Sequence, residues 1–361
     1  MKALAFYLPQ YHEIEENNQW WGKGYTEWTA VKDALPFSKA QVQPRVPLNN
    51  NYYDLSEKNA NTWKWQADLA NSFGIHGFVI YHYWFKTGKQ LLEKPMEILL
   101  SHKEININYC VCWANETWTR TWYGTKKETL MKQEYGDEKE WKNHFNYLLQ
   151  FFLDDRYIKI DGKPMINIYH THEIACLKEM LELWEKLSLK AGFKGIYVVS
   201  GNTGSKIDTR TNLFNAYYNF EPSYTQIHKC NYLERVEYLC EVFMRTLYNK
   251  FSHKKVLERP INGNRFIKRM LRRDSLSGVN IFPGVFPQWD NTPRRKYKGT
   301  FFKNMGATNF RKQIQNAKNN YPNSDFLYIN AWNEWGEGAY LEPDETDKYT
   351  YLEIVKSELI R

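Results

Sequence analysis

Two glutamates three positions apart, Glu334 and Glu337, stand in the stretch FLYINAWNEWGEGAYLEP, residues 326–343. An apolar run ends there among Trp332, Trp335, Gly336 and Gly338. If the chain curls helically at that point, residues three apart share one side, with Cβ atoms roughly 5–6 Å apart. That is close to the separation of about 5–5.5 Å at which paired carboxyls carry out retaining glycoside cleavage. Two carboxylates so near each other cannot both ionise cheaply, so one pKa should rise and leave an acid beside a base at neutral pH. A bare Glu-x-x-Glu is ordinarily a pair of exposed glutamates in a surface loop. Asn333, two tryptophans, two glycines and an adjoining strand end move the reading toward acid–base chemistry. Metal ligation is the weaker rival, because no histidine lies near in sequence.

Such a pair needs a scaffold. Eight short runs rich in apolar, β-branched and aromatic residues recur at 3–8, 77–83, 108–113, 164–169, 195–200, 213–218, 279–286 and 325–331. Helix-like stretches lie at 56–73, 89–103, 138–153, 173–191, 232–252, 308–320 and 349–360. Near-continuous apolar strands alternating with helices indicate a parallel sheet covered on both faces. Eight such units predict an α/β protein built as a single (β/α)₈ TIM-type barrel with elaborated βα loops, one catalytic domain over 1–361. Two places depart from regularity. The stretch 201–212 is too short for a helix, and Pro283 interrupts strand seven, where a bulge or early exit is expected. The connection 219–278 is long enough for an extra excursion.

In such a barrel, chemistry sits where strands end and βα loops begin. Strand one ends with Tyr7, Gln10 and Tyr11; strand two with His82, Tyr83 and Trp84; strand three with Trp113, Asn115 and Glu116. Strand four supplies Tyr169, strand six Tyr218 and Glu221, strand seven Trp289, Asp290 and Asn291, and strand eight Asn333 and Trp335. Taken singly, each reads as packing. Together, seven of eight strand ends mix aromatic faces with amides and carboxylates, which suits a polyhydroxyl ligand: rings cover C–H faces and polar groups fix hydroxyls. These residues are the candidate substrate contacts. Neither Walker spacing nor a Gly-x-Gly-x-x-Gly after a strand is present, so no phosphate cradle and no cofactor are expected.

Composition narrows the class. Of 361 residues, 42% are hydrophobic and 25% charged, an ordinary globular balance, while Phe, Trp and Tyr reach 17%. The net charge of +8 includes basic clusters at 265–273 and 293–298, read as solvated helix faces; without zinc-finger or RNA-binding signatures, nucleic acid is not an expected partner. Peripheral contact with an anionic membrane surface or glycan stays open. Five cysteines form no metal-ligand spacing and suit a reducing compartment. The start MKALAFYLPQYH has too short an apolar stretch for a signal peptide, and no run approaches a membrane span. A cytoplasmic location is the expectation.

The stretches AFYLPQYH, GFVIYHYWF, WANETWTRTW, DGKPMINIYH, PGVFPQWDNTPR and NAWNEWGEGAYLEP, in that order, resemble the WbsX-like family of bacterial polysaccharide-biosynthesis loci. The resemblance runs from the first strand to about Pro343. That family is similar in turn to the endo-α-1,2-mannosidase/mannanase family of glycoside hydrolases, which are (β/α)₈ barrels with the motif Asn-Glu-Trp-His-Glu-Gly. Glu334 and Glu337 match its two catalytic glutamates, and Gly336 replaces the histidine. The resemblance implies that Glu334 deprotonates the 2-hydroxyl of a sugar, which attacks C1 to give a 1,2-anhydro sugar with net retention. It implies that Glu337 protonates the leaving oxygen and then activates water. The implied substrate is a bacterial surface polysaccharide or its precursor, cleaved or transferred without a metal. Two other classes remain: a nucleotide-sugar-dependent glycosyltransferase, for which no Asp-x-Asp motif or paired nucleotide-binding domains are visible, and a non-catalytic glycan-binding barrel.

Overall fold

A computed structural model describes all residues except 120–127, 252–259, 273–278 and 361, and describes the side chains of all but 249 and 250 among the rest. Arg120, Thr121 and Trp122 of WANETWTRTW, and Arg273 of the first basic cluster, therefore lie outside the described residues.

The barrel strands are β1 (Lys2–Tyr7), β2 (Ile75–Trp84), β3 (Asn108–Trp113), β4 (Lys163–Ile168), β5 (Tyr197–Asn202), β6 (Ala216–Asn219), a divided β7 (Ile281–Phe282 and Gly284–Val285) and β8 (Phe326–Ile329). They pair in parallel in chain order, and β1 pairs with β8, Lys2 opposite Phe326 and Ala5 opposite Ile329. Pro283 divides β7 because it has no N–H for a ladder. The first piece pairs with β6, Tyr217 opposite Ile281, and the second with β8, Gly284 opposite Tyr328. The Pro283 carbonyl still accepts from the Tyr328 N–H at 2.9 Å. The break thus lets one strand serve both neighbours, and the barrel closes.

Helices surround it: α1 (Glu15–Trp21), α2 (Glu27–Lys32), α3 (Asn61–Ser72), α4 (Lys94–Ser101), α5 (Glu138–Phe152), α6 (Leu177–Lys190), α7 (Ser223–His228), α8 (Tyr232–Phe251), α9 (Gly263–Met270), α10 (Thr292–Arg295), α11 (Ala307–Asn320) and α12 (Thr350–Leu359). As its length required, the stretch between β5 and β6 holds only a short 3₁₀ turn, Thr211–Leu213. The excursion after β6 carries α7, α8 and α9. Helix α5 shows why these segments form. Asp137 caps it by accepting from the Lys139 and Glu140 N–H groups. His144, Phe145, Leu148, Phe151 and Phe152 are buried, the one-sided spacing of an amphipathic helix. Each fully buried Leu or Phe contributes about 1.5–3 kcal/mol.

Alternation along the strands separates two apolar layers. Phe6, Tyr81, Tyr218 and Tyr328 meet one another across the barrel interior; Phe6 lies 5.4 Å from Tyr218, and Tyr218 stacks on Tyr328 at 5.1 Å. Their neighbours face the helices. Tyr7 stacks on Trp63 of α3 at 4.6 Å, and Trp84 stacks on His144 of α5 at 4.5 Å. Cys110 and Cys112 are buried in β3 as free thiols.

Candidate active site

Beyond β8 the chain makes a narrow hairpin: Asn333–Glu334 runs antiparallel to Ala339–Tyr340, joined by a 3₁₀ turn at Trp335–Glu337. The expected curl is therefore present, in its tighter form. Gly338 closes the turn at φ +60°, a left-handed conformation that costs glycine little. Asn333 locks the hairpin to β1: its Oδ1 accepts from the Leu8 N–H at 2.7 Å, and its Nδ2 donates to the Leu8 carbonyl at 3.1 Å. Tyr11 donates its hydroxyl to the Asn333 carbonyl. Trp335 stacks on Tyr340 at 3.8 Å, and its Nε1 donates to Glu342 at 2.7 Å.

The two glutamates are held by one cation. Arg294, the third residue of α10 just after Pro293, donates from one terminal nitrogen to Glu334 at 2.6 Å and pairs through the other with Glu337 at 2.9 Å. Its Nε donates to Glu27 of α2 at 2.6 Å. Glu27 is fully buried and Arg294 only 7% exposed. Gly336 makes this possible, because a Cβ there would stand 1.9 Å from Glu27 Oε1 and 2.8 Å from Arg294 Nε. Glu334 is buried and Glu337 half-buried, since the hairpin folds back over α2 and α10, so the ordinary alternative of two exposed glutamates in a surface loop does not hold. The reading of 293–298 as a solvated basic face fails at Arg294, which is drawn inward by three carboxylates.

Burial pushes Glu334 up to about 8; Arg294 opposes that rise, and the charges of Glu337 and Glu27 add to it. Glu337 is also raised, again by burial first and against the pull of Arg294 and Arg295. Arg294 itself stays a cation, because the three carboxylates outweigh its desolvation. A pair held this way retains a proton at neutral pH while one partner accepts hydrogen bonds as a carboxylate.

The pair opens onto a cleft of about 510 Å³. Of the expected contacts, Gln10, Tyr83, Glu116, Tyr169, Trp289 and Asn291 line it together with Glu334 and Glu337. Burial, then nearby carboxylates, pushes the Tyr83 and Tyr169 hydroxyls well up, so both remain hydrogen-bond donors. Glu116 pairs with His170 at 2.9 Å. The cleft wall also contains Trp21, Tyr81, Trp118, Phe220, Arg294 and Arg295, none of them among the expected contacts.

The remaining expected contacts do not line the cleft, and their roles are corrected to support or packing. Tyr7 donates to Gln66 at 2.7 Å on the helix side of β1. His82 faces His144 at 2.9 Å, Trp84 stacks on the same ring, and Trp113 lies edge-on to it at 4.8 Å. Each of these four alternates with an inward residue and so points to the helices. Asn115 clamps the Tyr135 hydroxyl and the His170 carbonyl, each at 2.9 Å. Tyr218 lies too deep in the barrel interior, and Glu221 turns back to cap α7 through the Thr225 hydroxyl at 2.7 Å. Asp290 accepts from Gln41, Gln43 and Thr292. Tyr11, Asn333 and Trp335 brace the hairpin from behind, where Glu342, raised by burial to about 7, gathers Trp335, Gln66 and Tyr53. Glu27, Arg294 and Glu342 were missed. The one signal for Arg294 is DNTPR, where proline opens a short helix just past a strand end.

Fold and site together define an α/β barrel with a carboxylate pair at the C-terminal end of its last strand. The chain belongs to the WbsX glycosyltransferase family: the model described as "Glycosyltransferase WbsX" matches residues 3–355. The protein WxcX of Xanthomonas campestris pv. campestris is 31% identical in strain B100 and 30% in strain ATCC 33913, over 99% of this chain. The chain spans about half of those relatives, 49% of their length. Among solved structures, a glycoside hydrolase-like protein superposes with TM-score 0.61 at 14% identity, covering 99% of this chain and 93% of that one. The GH99 endo-alpha-mannosidase from Bacteroides thetaiotaomicron does so at 0.57 and 11%, covering 99% and 96%. These likenesses establish the shared fold.

Proposed function

We propose that this chain is a carbohydrate-active enzyme, a glycoside hydrolase or transglycosidase acting on a bacterial surface polysaccharide or its precursor. The observation that carries the reading is the pair Glu334 and Glu337, bridged by Arg294 and opening onto an aromatic cleft at the strand ends. Buried carboxyls with raised pKa values suit proton transfer near neutral pH. Tyr83, Trp289 and Tyr169 supply ring faces for C–H surfaces, and Gln10, Asn291 and Glu116 supply hydrogen bonds to hydroxyls.

In the proposed reaction Glu334 removes the proton of the 2-hydroxyl, and O2 attacks C1. The bond from C1 to the leaving oxygen breaks as Glu337 delivers its proton there. Water or an acceptor hydroxyl then adds to C1, giving a proton to Glu337 as the C1–O2 bond opens and O2 recovers its proton from Glu334. Two displacements at C1 produce net retention. The first step needs the pair's proton on Glu337 and Glu334 ionised, an arrangement favoured by the Arg294 guanidinium that donates to Glu334 at 2.6 Å; the same positive charge keeps the two carboxyls from repelling each other apart.

The family description favours a second reading, transfer from a nucleotide sugar. A panel of defined glycans, incubated with and without nucleotide sugars, separates the two. Cleavage or transglycosylation without a nucleotide sugar is expected; strict dependence on one would establish the transferase.

A further inference from the structure

Helix α8 is docked by its polar side. Glu237 accepts from both terminal nitrogens of Arg265, at 2.7 and 2.5 Å, and Glu234 takes Arg272 at 2.7 and 2.9 Å and Arg269 at 3.3 Å. These pairs tie α8 to α9 and the segment just after it, and they turn the other side of the helix to solvent. That side carries Tyr232, Leu233, Val236, Leu239, Phe243 and Leu247, between 40% and 79% exposed. The spacing is that of one helical face, so the stripe is continuous rather than a scatter of single exposed residues. An amphipathic helix normally covers its apolar stripe with its own core; here the stripe points the opposite way along 20 residues, about 30 Å.

Charge identifies what covers it. Residues 223–251 and 260–272 carry eight Lys and Arg against three Glu, a surplus of five within a chain of net +8. A second copy docked through this helix would bring two such surpluses close together, whereas an anionic lipid surface would neutralise one and take the stripe into its acyl boundary. We propose that α8 seats the protein on an anionic bilayer surface, lying in the interfacial plane. Helix α8 begins four residues after the end of α7, whose Ser223 lines the cleft, so the seat adjoins the candidate site along the chain. The inference does not depend on the reaction proposed above.

The test is co-sedimentation with vesicles of phosphatidylcholine alone or mixed equally with phosphatidylglycerol, alongside light scattering for oligomeric state. Wild type should bind the mixed vesicles at least tenfold more tightly than the neutral ones, less so at high salt. Leu239→Glu/Phe243→Glu should reduce that binding at least tenfold at an unchanged melting temperature. Should that variant aggregate, Arg235→Glu/Lys268→Glu, which leaves the apolar stripe intact, should still lower binding to the mixed vesicles severalfold. Failure of a monomeric wild type to bind mixed vesicles would overturn the proposal. So would binding that neither variant diminishes, or a concentration-dependent dimer that forms in place of vesicle binding.

Discussion

At the residue scale, two carboxyls and one guanidinium determine the expected behaviour. Glu334→Gln and Glu337→Gln should each lower turnover by about 10²–10⁴-fold, the usual loss when an acid or base is removed; steady-state kinetics on a cleaved glycan measures it. Stability should respond to pH with a definite sign. The folded value of Glu334 is raised to about 8, above the roughly 4.3 of an unfolded glutamate. The folded state therefore binds the extra proton, and that contribution is intact below about pH 4 and lost as pH rises toward 8. Relative to Glu334→Gln, wild type should lose melting temperature steadily between pH 5 and pH 8; a constant difference across that range would contradict the raised value. Glu334 and Glu337 were legible because two charges, two glycines and two tryptophans meet at a strand end. Arg294 and Glu27 were not, because their contact spans 267 positions and neither has a distinctive neighbourhood in sequence.

At the element scale, the expected strand ends were found but their side chains were only partly sorted. A strand end presents alternate residues to opposite sides, so Tyr81 and Tyr83 face inward while His82 and Trp84 face α5. Composition at the strand end cannot distinguish the two sets; the register can. The distinction predicts opposite phenotypes. Trp113→Ala should cost about 3–5 kcal/mol of stability, because it empties a packed site against His144 and Trp184. Trp289→Ala should leave the melting curve near wild type and weaken glycan binding instead. Paired melting curves and glycan titrations check this, and reversed results would return Trp113 to the cleft. The hairpin yields a further expectation. Gly336→Ala places a methyl group against Glu27 Oε1 and should lower turnover at least tenfold by moving Arg294, with the barrel still folded by circular dichroism.

At the scale of the whole molecule, closure of the barrel brings β1, β7 and β8 together, and with them Glu27, Arg294 and the glutamate pair. The eight-strand order was legible because the strands are nearly unbroken apolar runs, most of them followed by a helical pattern. Closure through a divided β7 was less so, since Pro283 shows that a ladder must break but not that both halves find partners. The central claim is that this assembly cleaves or transfers glycosides through the sugar's own 2-hydroxyl. NMR of the first-formed anomer from a defined oligosaccharide, repeated on its 2-deoxy analogue, tests that claim most directly. The account predicts retention at C1 and no reaction of the 2-deoxy analogue; inversion, or rapid cleavage of that analogue, would contradict it.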